Sequence, residues 1–138
     1  MNLERKEYEE YRRLSVELEF EMNDIARTPY EEAVRHCNGI GPDWFPEWLR
    51  RAIGALHPSL VPVAVNHDLN WAFADGSADA FHATNNAFRA NGFKMARSRY
   101  GAFDPRRYWV MHKAAKFHRL LDEFGGLAYK HATREAQK

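Results

Sequence analysis

Apolar residues recur every three or four positions through most of this chain, with charged residues between them, which is the pattern of helices lying on a core. From Leu3 to Ile25 the set Tyr11, Leu14, Leu18, Met22 and Ile25 keeps that step and predicts one amphipathic helix. Thr28, Pro29 and Glu31 read as an N-cap, a proline at the first helical position and a capping-box glutamate, so a short helix runs to about His36. The glycine-containing loop Cys37-Asn38-Gly39-Ile40-Gly41-Pro42 follows. Asp43 to Pro46 start another helix through Leu56, which ends because His57 precedes a proline and resists helical geometry. Ser59 caps a helix over Leu60 to Ala74, with Pro62 in its first turn and Asp75-Gly76 as its stop. Ser77 caps the next, where Ala80, Phe81, Ala83, Ala87, Phe88 and Ala90 supply apolar contacts until Asn91-Gly92 ends it. The two form an antiparallel hairpin. Phe103-Asp104-Pro105 opens a further helix with Tyr108, Met111, Ala115 and Leu120, running towards Phe124-Gly125-Gly126, and the polar tail from Thr133 frays. No segment alternates with period two and no repeat is visible, so the predicted fold class is all-α.

Composition narrows the picture. A chain of 138 residues with 45% hydrophobic and 14% aromatic content is one domain with ample material for a core. The expected organisation is an N-terminal amphipathic helix over 1–27, a helical domain over 28–132 and a tail over 133–138. Twenty basic and nineteen acidic side chains leave a net charge of +1, which predicts no strong global attraction to nucleic acid or anionic lipid. The run Arg97, Arg99, Arg106, Arg107, Lys113, Lys116 and Arg119, interleaved with Tyr100, Phe103, Tyr108 and Trp109, reads as a solvated face, since no nucleic-acid reader motif accompanies it. Cys37 is the single cysteine, so no intrachain disulfide and no cysteine-rich zinc site is available. A charged N-terminus and a longest apolar run, near Leu60 to Val65, too short for a bilayer predict a protein that is cytoplasmic in the producing cell, with virion association or release by lysis as its routes out and any other export needing a dedicated machine.

Candidate chemistry centres on His67-Asp68 within an apolar helix. Neighbouring helical side chains diverge by about 100°, so the two face different partners: the histidine suits work on water and the aspartate suits a cation. Glycines upstream let backbone carbonyls turn towards one point, and Ca²⁺ takes about six to eight oxygen ligands. Each signal also has a plainer reading: a packed core histidine, a paired surface carboxylate, and glycines that merely end a helix. His82 is placed to approach His67 across the hairpin, but two histidines make no complete metal set, and the remaining histidines read as structural or exposed.

These residues resemble the phospholipase A2-like proteins, most closely their disulfide-free phage and prophage branch. The resemblance spans roughly Asn38 to Tyr129 and is carried by Asn38-Gly39-x-Gly41-Pro42, by His67-Asp68-x-x-Trp71, by Asn85-x-x-Phe88 and by Phe124-Gly125-Gly126. It implies an antiparallel two-helix core with additional packing helices. It also implies Ca²⁺-dependent hydrolysis of a phospholipid carboxylic ester, with His67 as the general base that activates water. Asp68 would bind Ca²⁺ together with the carbonyls of Cys37, Gly39 and Gly41, and Trp44, Phe45, Trp48 and Trp71 would meet the substrate at a phospholipid or membrane surface. Trp44, Phe45 and Trp48 equally suit ordinary core packing.

The chain departs from that family at the support of the histidine. Where the family places an aspartate to orient the imidazole, the best-spaced residue is Asn85, with Asp79 as the alternative, and Trp71 replaces a tyrosine one turn after the histidine. An amide orients a ring but carries no charge to stabilise imidazolium. These replacements also suit a catalytically inactive module of the same fold that binds a phage or host protein, with the N-terminal helix as its docking element.

Overall fold

The computed structural model describes residues 3–36 and 55–137. Every regular element among them is helical: α1 (Arg5–Glu17), α2 (Asp24–Arg27), α3 (Tyr30–His36), a 3-10 turn (Pro58–Leu60), α4 (Val61–Ala72), α5 (Ala78–Arg99), α6 (Pro105–Phe124) and α7 (Gly126–Ala136). The all-α expectation holds. No helix among the described residues is long and apolar enough to cross a membrane. The expected glycine loop, with Cys37, Gly39 and Gly41, and the aromatic residues Trp44, Phe45 and Trp48 lie outside the described residues.

The expected single helix over Leu3 to Ile25 is interrupted. After α1, Glu19 and Met22 take left-handed backbone angles, φ 53° and 50°, which no helix continues through. Two buried asparagines stabilise this turn from the domain side. Asn91 accepts from the Glu21 N–H at 2.7 Å and donates to the Glu21 carbonyl at 3.0 Å, while Asn66 accepts from the Ile25 N–H at 3.0 Å. These bonds satisfy backbone groups that the helix break would otherwise leave unpaired. Phe20 enters one core cluster, Tyr8 and Ile25 enter another, and Met22 stays exposed.

α4 and α5 pack antiparallel, as expected, and α5 packs still more extensively on α6. Their caps follow the sequence: Ser77 Oγ accepts from the Ala80 N–H at 3.1 Å, and Asp104 accepts from the Arg106 N–H at 2.9 Å with Pro105 in the first turn. The expected stop at Asn91-Gly92 is corrected, because α5 continues to Arg99. Gly92 serves close approach there instead: a Cβ on it would lie 2.7 Å from Ala114 Cβ on α6 and 3.3 Å from Leu60 Cδ2. The methyl of Ala114 has no rotamer through which to yield, so Gly92→Val must push α5 and α6 apart. A loss of roughly 2 kcal/mol is expected, overpacking outweighing the small gain in helix propensity, and a lowered urea midpoint would report it.

α7 also runs past the point where fraying is expected. Thr133 is buried, and its hydroxyl meets the Tyr129 carbonyl at 2.9 Å and the Trp71 carbonyl at 3.3 Å, which ties α7 to the last turn of α4. Tyr129 adds a bond from its hydroxyl to the Ser77 carbonyl at 2.9 Å. Together these contacts close the end of the α4–α5 hairpin where the candidate site lies.

Candidate active site

α4 packs on α5, and His67, with 3% exposure, reaches across to that helix. Its ring centroid lies 4.5 Å from that of Trp71 and 5.5 Å, edge-on, from that of Phe88. The sequence pairing with Asn85 is present: His67 Nε2 meets Asn85 Oδ1 at 2.8 Å. Trp71 Nε1 donates to the same oxygen at 3.2 Å. Asp79, the alternative orienter, is exposed in the first turn of α5. Trp71, expected to meet substrate, is buried at 7% exposure, its ring close to Phe81 and Tyr129.

The hydrogen bonds assign the histidine's tautomer. An indole N–H only donates, so the Asn85 oxygen must face α4, and His67 Nε2 must then carry a hydrogen to bond that oxygen. Nδ1 is left with the lone pair. Burial pushes the imidazole down to about 4, a shift the Asn85 hydrogen bond opposes. The ring is therefore neutral at pH 7.

Asn85 leads further than its sequence role suggests. Its amide nitrogen donates to Asp122 Oδ1 on α6 at 2.8 Å. His82 Nδ1 donates to the same carboxylate oxygen at 3.2 Å, and His118 Nε2 lies 3.3 Å from Asp122 Oδ2 while donating to Asn86 Oδ1 at 2.9 Å. His82 thus approaches Asp122 rather than His67. Asp122 is the residue that sequence reasoning missed. Its signal was the antiparallel α5–α6 pairing, which a helix ended at Gly92 obscures.

Asp68, one residue on, is partly buried and has no hydrogen bond or ion pair among the described residues. Desolvation alone pushes its carboxyl up to about 7. A carboxylate with no partner among the described residues fits a cation ligand, because a cation would supply the counter-charge that those residues do not. No three His, Cys, Asp or Glu side chains among the described residues converge to hold a metal ion. A cleft of about 520 Å³ opens elsewhere on α4, lined by Met22, Thr28, Asn70 and Phe73 among others, and none of His67, Asp68 and Asn85 lines it.

No protein-family model matches the chain, and neither a curated protein nor a solved structure matches it.

Proposed function

We propose that this chain is a Ca²⁺-dependent phospholipid carboxylic-ester hydrolase of the phospholipase A2-like kind, with His67 as general base. The supporting observation is the tautomer lock, in which Nε2–H bonds Asn85 Oδ1 at 2.8 Å and Nδ1 keeps its lone pair. Nδ1 is the atom that would take a proton from water as that water attacks an ester carbonyl, and Asn85 with Trp71 holds the ring while it does so. The imidazole is neutral at working pH, as a base must be. Asp68 would hold Ca²⁺ with the carbonyls of Cys37, Gly39 and Gly41, and the bound ion would supply stabilisation of negative charge on the ester oxygen. Trp44, Phe45 and Trp48 are proposed to meet the lipid.

The second reading, an inactive module of the same fold that binds a phage or host protein, draws on the 3% exposure of His67 and on the amide at position 85. Turnover decides between them. Hydrolysis of phospholipid in mixed micelles is expected to require Ca²⁺ and to fall by about 10²-fold or more in His67→Ala, the scale of a lost general base. Asp68→Ala is expected to abolish the calcium response. A folded wild type that turns over none of several lipid classes would retire the hydrolase reading in favour of the module.

A further inference from the structure

We infer that Asp122 is the positioning carboxylate of His67, acting one residue removed through the Asn85 amide. The inference rests on the reading of His67 as a general base. It starts from a gap: an amide beside an imidazole orients the ring without offering it a negative charge. The structure puts that charge directly behind the amide. Asn85 Oδ1 receives His67 Nε2 at 2.8 Å, and Asn85 Nδ2 reaches Asp122 Oδ1 at 2.8 Å, so imidazole, amide and carboxylate form one unbroken line across α4, α5 and α6.

The two ends of this line permit one orientation of the amide. Trp71 Nε1 can only donate, which fixes the oxygen towards α4, and an ionised carboxylate can only accept, which fixes the nitrogen towards α6. The amide is also polarisable. As His67 gains positive charge, its Nε2–H draws more strongly on the amide oxygen, the amide N–H becomes a better donor, and the carboxylate accepts it more strongly. No proton travels along the line. The one taken up at Nδ1 stays on the imidazole until the leaving group receives it, Nε2 keeps its own, and none passes to Asp122.

Asp122 is itself held in place. His82 from α5 and His118 from its own helix both reach its oxygens, at 3.2 and 3.3 Å, with side chains 57% and 15% exposed. Burial lowers the His118 imidazole from its ordinary value, a shift that Asp122 opposes and Arg89 and Arg119 add to. Asp122 Oδ1 thus receives both the Asn85 amide and His82, which fixes the carboxylate against α5. Among the described residues nothing comparable surrounds Asp79.

Exchanging the two polar groups tests the idea, because Asn and Asp have nearly the same shape. Asp122→Asn is expected to lower kcat about 10-fold or more with KM within twofold, the scale on which partners behind a functional histidine act. Asn85→Asp alone places two carboxylates at hydrogen-bond distance and is expected to be poorer still at neutral pH. The double variant Asn85→Asp/Asp122→Asn moves the charge next to the imidazole and is expected to restore kcat at least to the wild-type level. A merely structural role for Asp122 predicts no such rescue. The proton resonance of His67 Nε2–H provides a reading independent of turnover: it should move upfield in Asp122→Asn and downfield in the double variant. An unchanged kcat and resonance in Asp122→Asn, in a protein whose turnover His67→Ala abolishes, would overturn the inference and leave the hydrolase reading standing. A wild type without turnover whose resonance still responds to both variants would keep the role of Asp122 in holding His67 and remove the hydrolase reading. Neither turnover nor response would remove both.

Discussion

Asn85→Leu is expected to destabilise the fold by about 3–5 kcal/mol, well beyond what its volume change would cause. The side chain is fully buried and sits where three helices meet. Replacing it with an apolar isostere leaves two buried donors, His67 Nε2–H and Trp71 Nε1–H, without their acceptor. Each such loss costs about 1–3 kcal/mol, because neither group can turn to water from inside the α4–α5 contact. Asp122 is affected less, since His82 and His118 still reach it. The contrasting variant is Asn86→Leu at the next position. Asn86 is exposed and hydrogen-bonds only to His118 among the described residues, so a change within about 0.5 kcal/mol is expected there. Urea unfolding of the two variants side by side measures the difference. Equal midpoints would mean that Asn85 is not the acceptor on which this part of the core depends. Asn85→Leu should also lose hydrolysis, since the imidazole loses the bond that fixes its tautomer.

The helices were legible where local chemistry decides them. Ser77 and Asp104 cap because a short acceptor side chain precedes a helical run, and Pro62 and Pro105 fit first turns that need no N–H there. The errors came where long-range contacts override local signals. Gly92 looks like a stop until Ala114 is known to press against it, and the Leu18-to-Ile25 stretch keeps a helical period although Asn66 and Asn91 hold it in a turn. Thr133 looks like tail because its partner, the Trp71 carbonyl, lies far back in sequence.

The same division applies to the site. His67 and Asn85 share one hairpin, so their meeting follows from helical spacing across a short turn. Asp122 joins them from a third helix. Reading α5 to its full length moves the next turn to the neighbourhood of Phe103, and an antiparallel return from there brings Leu121 and Asp122 opposite Asn85. The error at Gly92 and the omission of Asp122 are thus one error. Trp71 shows the same limit: its N–H was legible as a donor, but a sequence does not say that its acceptor is the Asn85 oxygen.

Stability should be nearly independent of pH between about 4 and 6.5 in the metal-free wild type, and should become steeply dependent in Asp68→Asn. His67 goes from 6.5 to about 4 on burial, so within that window the unfolded chain binds a proton that the folded chain refuses, and stability rises with pH. Asp68 goes from 3.8 to about 7, so the folded chain keeps a proton that the unfolded chain releases, and stability falls with pH. The two slopes oppose each other and nearly cancel. Removing the carboxyl by Asp68→Asn leaves the histidine alone, and stability is then expected to rise by about 3 kcal/mol across the window. Above pH 7 the same variant should exceed the wild type by roughly 3 kcal/mol, some of the full linkage being screened at the partly exposed edge of Asp68. Urea midpoints taken in a chelator at intervals from pH 4 to pH 8 test both statements. A flat profile for Asp68→Asn would show that His67 is not held neutral by burial. The sign at high pH bears on the cation as well. An ionised Asp68 with no partner among the described residues is a cost to the empty fold, and any cation that binds it removes that cost, so Ca²⁺ should stabilise the wild type above pH 7 and leave Asp68→Asn unmoved.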